Sequence, residues 1–424
     1  MNKNDIFGIH EQVVKDYASF VSSFIRIKDD KIRETVEREI ADGKFWPEPL
    51  LQFNPAFQMG AKTSELCRNG GLLHPDIQHT FGDYQLFRHQ IEALQLGVAG
   101  KDFVVTSGTG SGKSLTYLGT IFNHLFKEKK ENGIKAVIVY PMNALINSQT
   151  EEIGKYRDNY LRTGREFPIT FAQYTGQQDD DARSGTKEEL PDILLTNYMM
   201  LELILTRSGE QRIRDSIFKD LRYLVFDELH TYRGRQGADV SMLIRRIKAQ
   251  TAQSVICIGT SATMVSGGTL QEQKEKVAEV ASTIFGTSFT REQIVTEYLT
   301  KSFKGEIPGK SELVEALSKE IVESAPESEL LDNPIARWLE NRVAIKLDGD
   351  LLKRGEPLTL AQIVERLATD SGVDNGVVLD KIVKFLRWLA TVNAAKENKK
   401  YGHLPYRLHQ FISQSGSVYI TLGK

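Results

Sequence analysis

Six short apolar runs between residues 102 and 260 constrain the fold most strongly, because each is followed by turn residues and then by a stretch with helical periodicity. The runs are DFVVTS, AVIVYP, ITFAQY, DILLTN, RYLVFDE and SVICIGT. Near-continuous β-branched runs that alternate with amphipathic helices are typical of parallel strands covered by helices on both faces. Residues 85–265 are therefore predicted to form one α/β domain with a doubly wound sheet.

The length of 424 residues allows two or three domains of about 150 residues each. Lys and Arg number 54 against 56 Asp and Glu, and the net charge of −2 excludes a protein that coats nucleic acid through bulk positive charge. No run approaches the about 18 apolar residues of a membrane span, and the start, MNKNDIFGIH, has no signal segment. A cytoplasmic, soluble protein without membrane contact is expected. Cys67 and Cys257 lack the spacing of a disulfide framework or a zinc site, and Cys257 is predicted to be a core residue.

The segments on either side of the α/β domain have mainly helical patterns. Residues 1–84 are predicted to form an N-terminal helical region, 266–400 a helical insert, and 401–424 the start of a following domain. Within the insert, LTLAQIVERLA and NGVVLDKIVKFLRWLATV have apolar residues at helical spacing. A DNA-reading helix-turn-helix is conceivable there, but ordinary packing of two helices is commoner and is favoured.

The segment DFVVTSGTGSGKSLTYLGTIFNHLF carries the clearest chemical signal, because a strand runs into a glycine-rich turn and then into a helix. Glycines let the backbone curl so that successive N–H groups point at phosphate oxygens, and the helix N-terminus adds a favourable dipole. Lys113 is expected to reach the β- and γ-phosphates of a nucleotide, and the Ser114 hydroxyl to ligate Mg²⁺. The predicted nucleotide-binding residues of this loop are Ser107, Gly108, Thr109, Gly110, Ser111, Gly112, Lys113 and Ser114.

A second predicted site lies at the carboxyl end of the strand in RYLVFDELH, where ligands bind in open α/β sheets. Asp227 is expected to hold Mg²⁺ through water, and Glu228 to polarise the attacking water. Adjacent carboxylates at a strand end are often only solvated, but the phosphate loop upstream favours the functional interpretation. Together with Lys113, these two carboxylates are the predicted catalytic residues.

These segments, in this order, resemble the superfamily 2 helicases of the DEAD/DEAH-box group. DELH, which ends at His230, is a variant of the DEAH box, and the resemblance places His230 in the nucleotide site. GTSATM matches the motif in which Ser261 and Thr263 couple the state of the nucleotide to strand movement. FRHQ resembles the adenine-reading Q motif, in which the amide of Gln90 can both donate and accept hydrogen bonds. Ser107 replaces the first glycine of the general phosphate-loop pattern, a replacement common in this group.

Three further segments resemble the parts of these helicases that touch the nucleic-acid backbone. They are YPMNALINSQ, YTGQQ and TNYMMLE. The resemblance implies contacts that depend little on base sequence and that weaken with salt. The predicted nucleic-acid contacts are Pro141, Asn143, Thr175, Gly176, Thr196 and Asn197.

The longer phrase DELHTYRGRQGADVSMLIRRIK is similar to large bacterial helicases of the Lhr and MrfA types, which act in DNA repair and phage defence and have much longer chains. The resemblance covers residues 45–290 and implies an ATP-dependent helicase or translocase on single-stranded nucleic acid, with DNA favoured over RNA. Helicases of this kind place ATP between two RecA-like domains, and this sequence contains only the first.

The arginines that the second domain contributes to the γ-phosphate have no counterpart here, since Arg233 and Arg235 directly follow DELH on the first domain. A missing arginine finger costs on the order of 10³–10⁵ in rate in related chemistry. The chain alone is therefore expected to bind ATP weakly and hydrolyse it slowly, and to need a second RecA-like domain in the same or a partner chain. An ATP-gated adaptor that unwinds nothing stays an alternative. A small-molecule kinase is disfavoured, because GTSATM would have no role in it.

Overall fold

The computed structural model of the chain divides into two compact units, Phe57–Tyr298 and a second one made of Met1–Ala56 with Leu299–Lys424. We call them the α/β unit and the discontinuous unit. The structure describes residues 5–24, 27–41, 46–68, 70–108, 110–128, 132–178, 180–262, 268–349, 351–396 and 402–411.

The α/β unit is built on a seven-stranded sheet in which all the neighbouring strands are parallel. From edge to edge, its strands are Ile294–Thr296, Phe103–Thr106, Ile256–Ser261, Tyr223–Phe226, Ala136–Tyr140, Ile193–Asn197 and Phe171–Gln173. All six predicted strands are present, so the predicted α/β fold is confirmed. The edge strand Ile294–Thr296 was not predicted, because its apolar run has only two residues, Ile294 and Val295.

Successive residues of the strands pack on opposite faces of this sheet. Val105 lies in a core with Ile121 and other residues of the helix Lys113–Lys127, whereas Val104 lies in a second core with Ile244. Since helices cover both faces, the strands are apolar at nearly every position. Cys257 is fully buried in the second core, which confirms its prediction.

Ten α-helices and three short 3₁₀ turns are described in the α/β unit, with one antiparallel strand pair, Met59–Lys62 and Gln85–Phe87. The α-helices are Thr63–Leu66, Asp76–Phe81, Arg88–Val98, Lys113–Lys127, Asn143–Leu161, Asp180–Glu188, Tyr198–Thr206, Gln211–Asp220, Gly234–Gln250 and Leu270–Phe285. The 3₁₀ turns are Ser208–Glu210, Leu229–Thr231 and Arg291–Gln293.

Three neighbouring strands of the sheet bring the predicted site residues together. The strand Ile256–Ser261 lies between Phe103–Thr106 and Tyr223–Phe226, with Ser261 opposite Thr106. Parallel strands end at the same edge of a sheet, so the segments that follow these three strands meet there.

The discontinuous unit contains a three-stranded antiparallel sheet whose central strand, Leu50–Phe53, lies between Leu358–Thr359 and Tyr406–His409. A hairpin is formed by Ile345–Asp348 and Leu351–Arg354. The helices of this unit are Ile6–Phe24, Asp30–Ala41, Lys310–Ser318, Glu327–Leu331, Pro334–Leu339, the π-helix Glu340–Ala344, Leu360–Ser371 and Asn375–Ala394. Short strands at Ala56–Phe57 and Leu299–Thr300 lie where the chain passes from one unit to the other.

The helix pair predicted in the insert is present as Leu360–Ser371 and Asn375–Ala394. Leu367 and Leu386 are fully buried in one core with Trp338, an arrangement that supports the packing interpretation of these helices. No helix within the described ranges is long and apolar enough to cross a membrane.

The division into units differs from the predicted boundaries at residues 84, 265 and 400. The helix Leu270–Phe285 packs in a core of the sheet, and the strand Ile294–Thr296 joins its edge, so the α/β unit continues to Tyr298. The two ends of the chain share one sheet through the pairing of Leu50–Phe53 with Tyr406–His409, where separate regions were expected. Pairing between segments this far apart leaves no local sequence pattern, so the periodicity could not reveal it.

Candidate nucleotide-binding site

The phosphate loop connects the strand Phe103–Thr106 to the helix Lys113–Lys127. Gly110 and Gly112 have φ angles of +84° and +73°, in the left-handed region that glycine adopts most readily. Gly112 is the N-cap of the helix, so the loop ends where unpaired N–H groups and the helix dipole favour phosphate. Thr109 lies outside the described residues.

The side chain of Lys113 folds back over the loop and is 10% exposed. Its Nζ donates a hydrogen bond to the carbonyl oxygen of Ser107 at 3.0 Å and lies 3.9 Å from Oε1 of Glu228. The hydroxyl oxygens of Ser107 and Ser111 are 2.5 Å apart, and the Ser107 N–H donates to the carbonyl oxygen of Ser261 at 3.1 Å. The ammonium group is thus held among oxygen atoms, the kind of partner that a phosphate would replace.

Two adjacent buried side chains, Gln90 and His89, support the loop. Nε2 of Gln90 donates to the carbonyl oxygens of Ser111 at 3.2 Å and Gly112 at 3.1 Å, and its Oε1 accepts from the Phe87 N–H at 2.9 Å. The amide both donates and accepts, as predicted, but these partners belong to the loop and to the start of its own helix. His89, which the sequence reasoning missed although it lies within FRHQ, places Nε2 3.1 Å from the Ser111 carbonyl oxygen. Burial lowers the pKa of His89 to about 4, so the ring is neutral at pH 7.

Asp227 is buried at the end of the strand Tyr223–Phe226, where the hydroxyl of Thr260 donates a hydrogen bond to its carboxylate. The same hydroxyl accepts a hydrogen bond of 3.1 Å from the N–H of Glu228. Burial raises the pKa of Asp227 to about 6, although the Thr260 hydrogen bond acts in the opposite direction. Thr260 was not predicted, but its place beside Ser261 in GTSATM could have indicated it.

Glu228 lies at the centre of the predicted catalytic residues and has a positive φ of +53°. Such a backbone conformation costs on the order of 1–3 kcal/mol for a residue with a side chain and is concentrated at functional sites. Its Oε1 faces Lys113, and its Oε2 lies 3.2 Å from Nδ1 of His230. Nδ1 of His230 is also 3.2 Å from the hydroxyl oxygen of Ser261. Lys113, Glu228, His230 and Ser261 therefore form one connected set, while Thr263 lies outside the described residues.

The candidate metal ligands, Ser114 and Asp227, offer a hydroxyl and a carboxylate oxygen, the donor type that Mg²⁺ prefers. Within the described part of the chain, no group of three or more His, Cys, Asp or Glu side chains is arranged to hold a metal ion. This donor set fits Mg²⁺, which takes few protein ligands and completes its octahedral shell with phosphate oxygens and water.

Two buried tyrosines lie beside these candidate ligands. The hydroxyl oxygens of Tyr117 and Tyr140 are 3.2 Å apart, and burial and then the neighbouring charges raise the pKa of Tyr117 well above its usual range. Burial, and then the neighbouring Asp227 carboxylate, raises the pKa of Tyr140 well above its usual range. Since Pro141 follows Tyr140, the tyrosine pair joins the helix Lys113–Lys127 to the first predicted nucleic-acid segment.

The predicted nucleic-acid residues Asn143 and Asn197 are in contact. Nδ2 of Asn197 donates to Oδ1 of Asn143 at 2.8 Å, and Oδ1 of Asn197 accepts from the N–H of Met200 at 2.8 Å, which caps the helix Tyr198–Thr206. The two segments meet because Asn197 pairs with Tyr140 in neighbouring strands.

Thr196 and Thr175 have mainly structural contacts. Thr196 is fully buried and donates to the carbonyl oxygen of Tyr174 at 2.7 Å, and Thr175 is 3% exposed. Gly176 is exposed at the following turn. The buried Thr175 and Thr196 side chains therefore offer little surface to a nucleic acid, whereas the backbone at Gly176 is accessible.

Residues 87–271 match the family model described as DEAD/DEAH box helicase. The Druantia protein DruE of Escherichia coli (strain UMEA 4076-1) is 25% identical over 417 residues, which cover 70% of this chain and 22% of DruE. The uncharacterized ATP-dependent helicase YprA of Bacillus subtilis (strain 168) is 29% identical over 195 residues, which cover 45% of this chain and 24% of YprA. The crystal structure of the DUF1998 helicase MrfA bound to DNA has a TM-score of 0.45 and 19% identity, over 69% of this chain and 40% of that one. The chain thus spans 22% and 24% of the length of the two relatives.

Proposed function

We propose that the chain is the first motor domain of an ATP-dependent helicase or translocase, because residues 87–271 match the DEAD/DEAH box helicase family, the group that the order of the motifs predicted. The proposed ligands are ATP with Mg²⁺ and single-stranded nucleic acid, with DNA favoured. The proposed setting is bacterial phage defence or DNA repair, the two roles that the resemblance to Lhr- and MrfA-type helicases implies. A second RecA-like domain, in the same polypeptide or in a partner, completes the proposed machine.

The observation that carries this proposal is the connected set of Lys113, Glu228, His230 and Ser261. Each member lies at or after the end of one of three neighbouring strands. Side-chain atoms lie within 3.9 Å of each other between Lys113 and Glu228, between Glu228 and His230, and between His230 and Ser261. A glycine-rich turn alone would be enough to bind phosphate. This set also places the Glu228 carboxylate beside the phosphate site and connects it through His230 to the strand Ile256–Ser261.

In the proposed reaction, the loop N–H groups and Lys113 hold the phosphate chain of ATP. Nζ of Lys113 exchanges the Ser107 carbonyl oxygen for phosphate oxygens, where a positive charge stabilises the charge that develops during transfer. Glu228 orients and polarises the attacking water and accepts its proton. Mg²⁺, held by Ser114 and Asp227, supplies electrostatic stabilisation of the phosphates when it is bound.

The proposed coupling runs from Glu228 through His230 to Ser261. A change at the γ-phosphate alters the surroundings of Glu228, and the shared Nδ1 of His230 passes that change to the end of the strand Ile256–Ser261. Asn143 and Asn197 are proposed to contact the nucleic-acid backbone, together with Pro141 and the exposed turn at Gly176. Thr175 and Thr196 are proposed to hold that turn in place.

The proposal is tested by nucleotide binding and single-turnover ATP hydrolysis, with and without single-stranded DNA or RNA. Lys113→Ala is expected to abolish nucleotide binding, and Glu228→Gln to retain binding while slowing hydrolysis by about 10²–10⁴-fold. Lys127→Ala and Glu189→Gln, both at exposed positions in the same unit, are matched controls. Undiminished hydrolysis by Glu228→Gln would contradict the assigned catalytic role.

The alternative, an ATP-gated adaptor, is distinguished by the same variants. An adaptor would tolerate Glu228→Gln in every assay of nucleic-acid or partner binding and would lose function only with Lys113→Ala. A motor instead loses translocation with both variants. Vigorous DNA-stimulated hydrolysis by this chain alone would contradict the need for a second RecA-like domain.

A further inference from the structure

Glu297 gives the phosphate loop a negatively charged partner from the chain itself. Its Oε2 accepts a hydrogen bond from the N–H of Gly108 at 2.9 Å. Gly108 belongs to SGTGSGKS, whose N–H groups are the proposed donors to phosphate oxygens. One N–H makes one strong hydrogen bond, so the Glu297 carboxylate and a phosphate oxygen are alternative acceptors at this position.

The sheet fixes Glu297 beside the loop. Thr296, the last residue of the edge strand, is paired with Thr106, the last residue before the loop. The hydroxyl of Thr106 also donates to the carbonyl oxygen of Val295 at 3.4 Å. Because the two strands end in register, the residues that follow them are neighbours, and the carboxylate reaches the loop without a long flexible connection.

The charge of Glu297 adds to that of two carboxylates already in the site. Asp227 and Glu228 follow the nearby strand Tyr223–Phe226, and the buried ammonium of Lys113 lies 3.9 Å from Glu228. A phosphate chain brought to the same loop meets like charge from Glu297, and like charges at a few ångströms repel strongly in a partly buried site.

We propose that Glu297 determines the affinity of the loop for phosphate groups, because its carboxylate occupies the Gly108 N–H until a phosphate oxygen displaces it. This inference rests on the proposed nucleotide-binding function of the loop. Glu297 thus competes with phosphate for the Gly108 N–H. Its carboxylate stabilises the nucleotide-free loop and weakens the binding of nucleoside diphosphates, nucleoside triphosphates and inorganic polyphosphates.

The test is the affinity of the full chain for ADP and for inorganic tripolyphosphate, measured by calorimetry at low salt. Glu297→Gln keeps the size of the side chain but removes the charge, and Glu297→Ala removes the acceptor. Both variants are expected to bind the two probes about tenfold more tightly than the wild type. In both, a phosphate oxygen no longer has to displace a charged acceptor from the Gly108 N–H. Added salt should reduce this difference by screening the charge.

Glu292→Gln is the matched control, because Glu292 is an exposed carboxylate just before the same edge strand and is expected to leave both affinities unchanged. Unchanged or weaker binding in both Glu297 variants would overturn the inference. If Lys113→Ala also leaves both affinities unchanged, the proposed nucleotide site itself fails. If Lys113→Ala abolishes binding while the Glu297 variants match the wild type, only the inference about Glu297 fails.

Discussion

Nδ1 of His230 lies 3.2 Å from the hydroxyl oxygen of Ser261, so a residue that follows one strand touches the last residue of the neighbouring strand. The same nitrogen lies 3.2 Å from Oε2 of Glu228. A single ring atom therefore links the proposed catalytic carboxylate to the end of the strand Ile256–Ser261.

His230→Ala is expected to slow single-turnover ATP hydrolysis by about ten- to a hundredfold with little change in nucleotide affinity, because Oε2 of Glu228 loses the ring nitrogen that lies 3.2 Å from it. Ser261→Ala should have a smaller effect, since Ser261 acts on Glu228 only through the ring. The double variant should then be no slower than His230→Ala alone. Fully additive effects in this double-mutant cycle would show that Ser261 acts independently of His230.

Asp227→Asn is expected to stabilise the nucleotide-free protein above pH 6 while it abolishes magnesium-dependent hydrolysis. The pKa of Asp227 is raised in the folded protein from 3.8 to about 6. The folded state therefore holds this proton more strongly than the unfolded state, and the associated stability is present below about pH 4 and lost as the pH rises through about 6. The variant, which stays neutral, should exceed the wild type in free energy of unfolding by on the order of 3 kcal/mol above pH 6.

Urea denaturation at several pH values, without Mg²⁺ or nucleotide, measures this difference. It should shrink toward zero as the pH falls to about 4, because Asp227 is then protonated in both states. A difference that does not change with pH would show that burial of the Asp227 charge is not its cause.

Gly112→Ala is expected to weaken nucleotide binding and to destabilise the α/β unit by about 1–2 kcal/mol, the cost of left-handed backbone for alanine. An added Cβ would also lie 2.4 Å from Nε2 of Gln90, which would have to leave the loop carbonyl oxygens. The control is Gly154→Ala in the helix Asn143–Leu161, where an added Cβ meets no atom within 4 Å. That variant should be more stable by about 0.5–1 kcal/mol, with unchanged nucleotide affinity. Thermal unfolding and ADP titration measure both effects, and equal behaviour of the two variants would contradict the role given to Gly112.

Asn143→Ala and Asn197→Ala are expected to separate nucleic-acid binding from stability. Both should weaken binding of a single-stranded oligonucleotide, but only Asn197→Ala removes a helix cap, which costs about 1 kcal/mol. The salt dependence of binding should stay as in the wild type, because neither substitution removes a charge. Fluorescence anisotropy at several salt concentrations, together with urea denaturation, measures these effects. Unchanged binding by Asn143→Ala would remove that residue from the proposed interface.

The sequence was most informative where one local pattern determines one structural element. The continuous apolar runs predicted six strands of the sheet, because burial on both faces leaves no polar position to obscure the pattern. Lys113, Asp227 and Glu228 could be proposed as neighbours because residues after parallel strands meet at one edge. His89 and Thr260 were missed because spacing alone does not distinguish a buried histidine or a strand threonine from core residues, although both lie within the quoted motifs FRHQ and GTSATM.

Contacts between distant segments were not predictable. Glu297 follows a strand of three residues, and its approach to Gly108 depends on the pairing of that strand with Phe103–Thr106. The shared sheet of the two chain ends depends likewise on pairing across the whole α/β unit. Hydrophobic periodicity reports only on residues that are close along the chain. It therefore cannot predict which distant strand a segment pairs with.

The central position of Leu50–Phe53 has a consequence for the order in which the protein folds on the ribosome. This strand is synthesised before the entire α/β unit, but its two neighbours, Leu358–Thr359 and Tyr406–His409, are synthesised after that unit. The α/β unit can fold as soon as it emerges, while Leu50–Phe53 waits with both edges unpaired, the condition under which strands associate with other chains. Leu50–Phe53 is therefore made before the α/β unit but reaches its final pairing only after that unit has been synthesised.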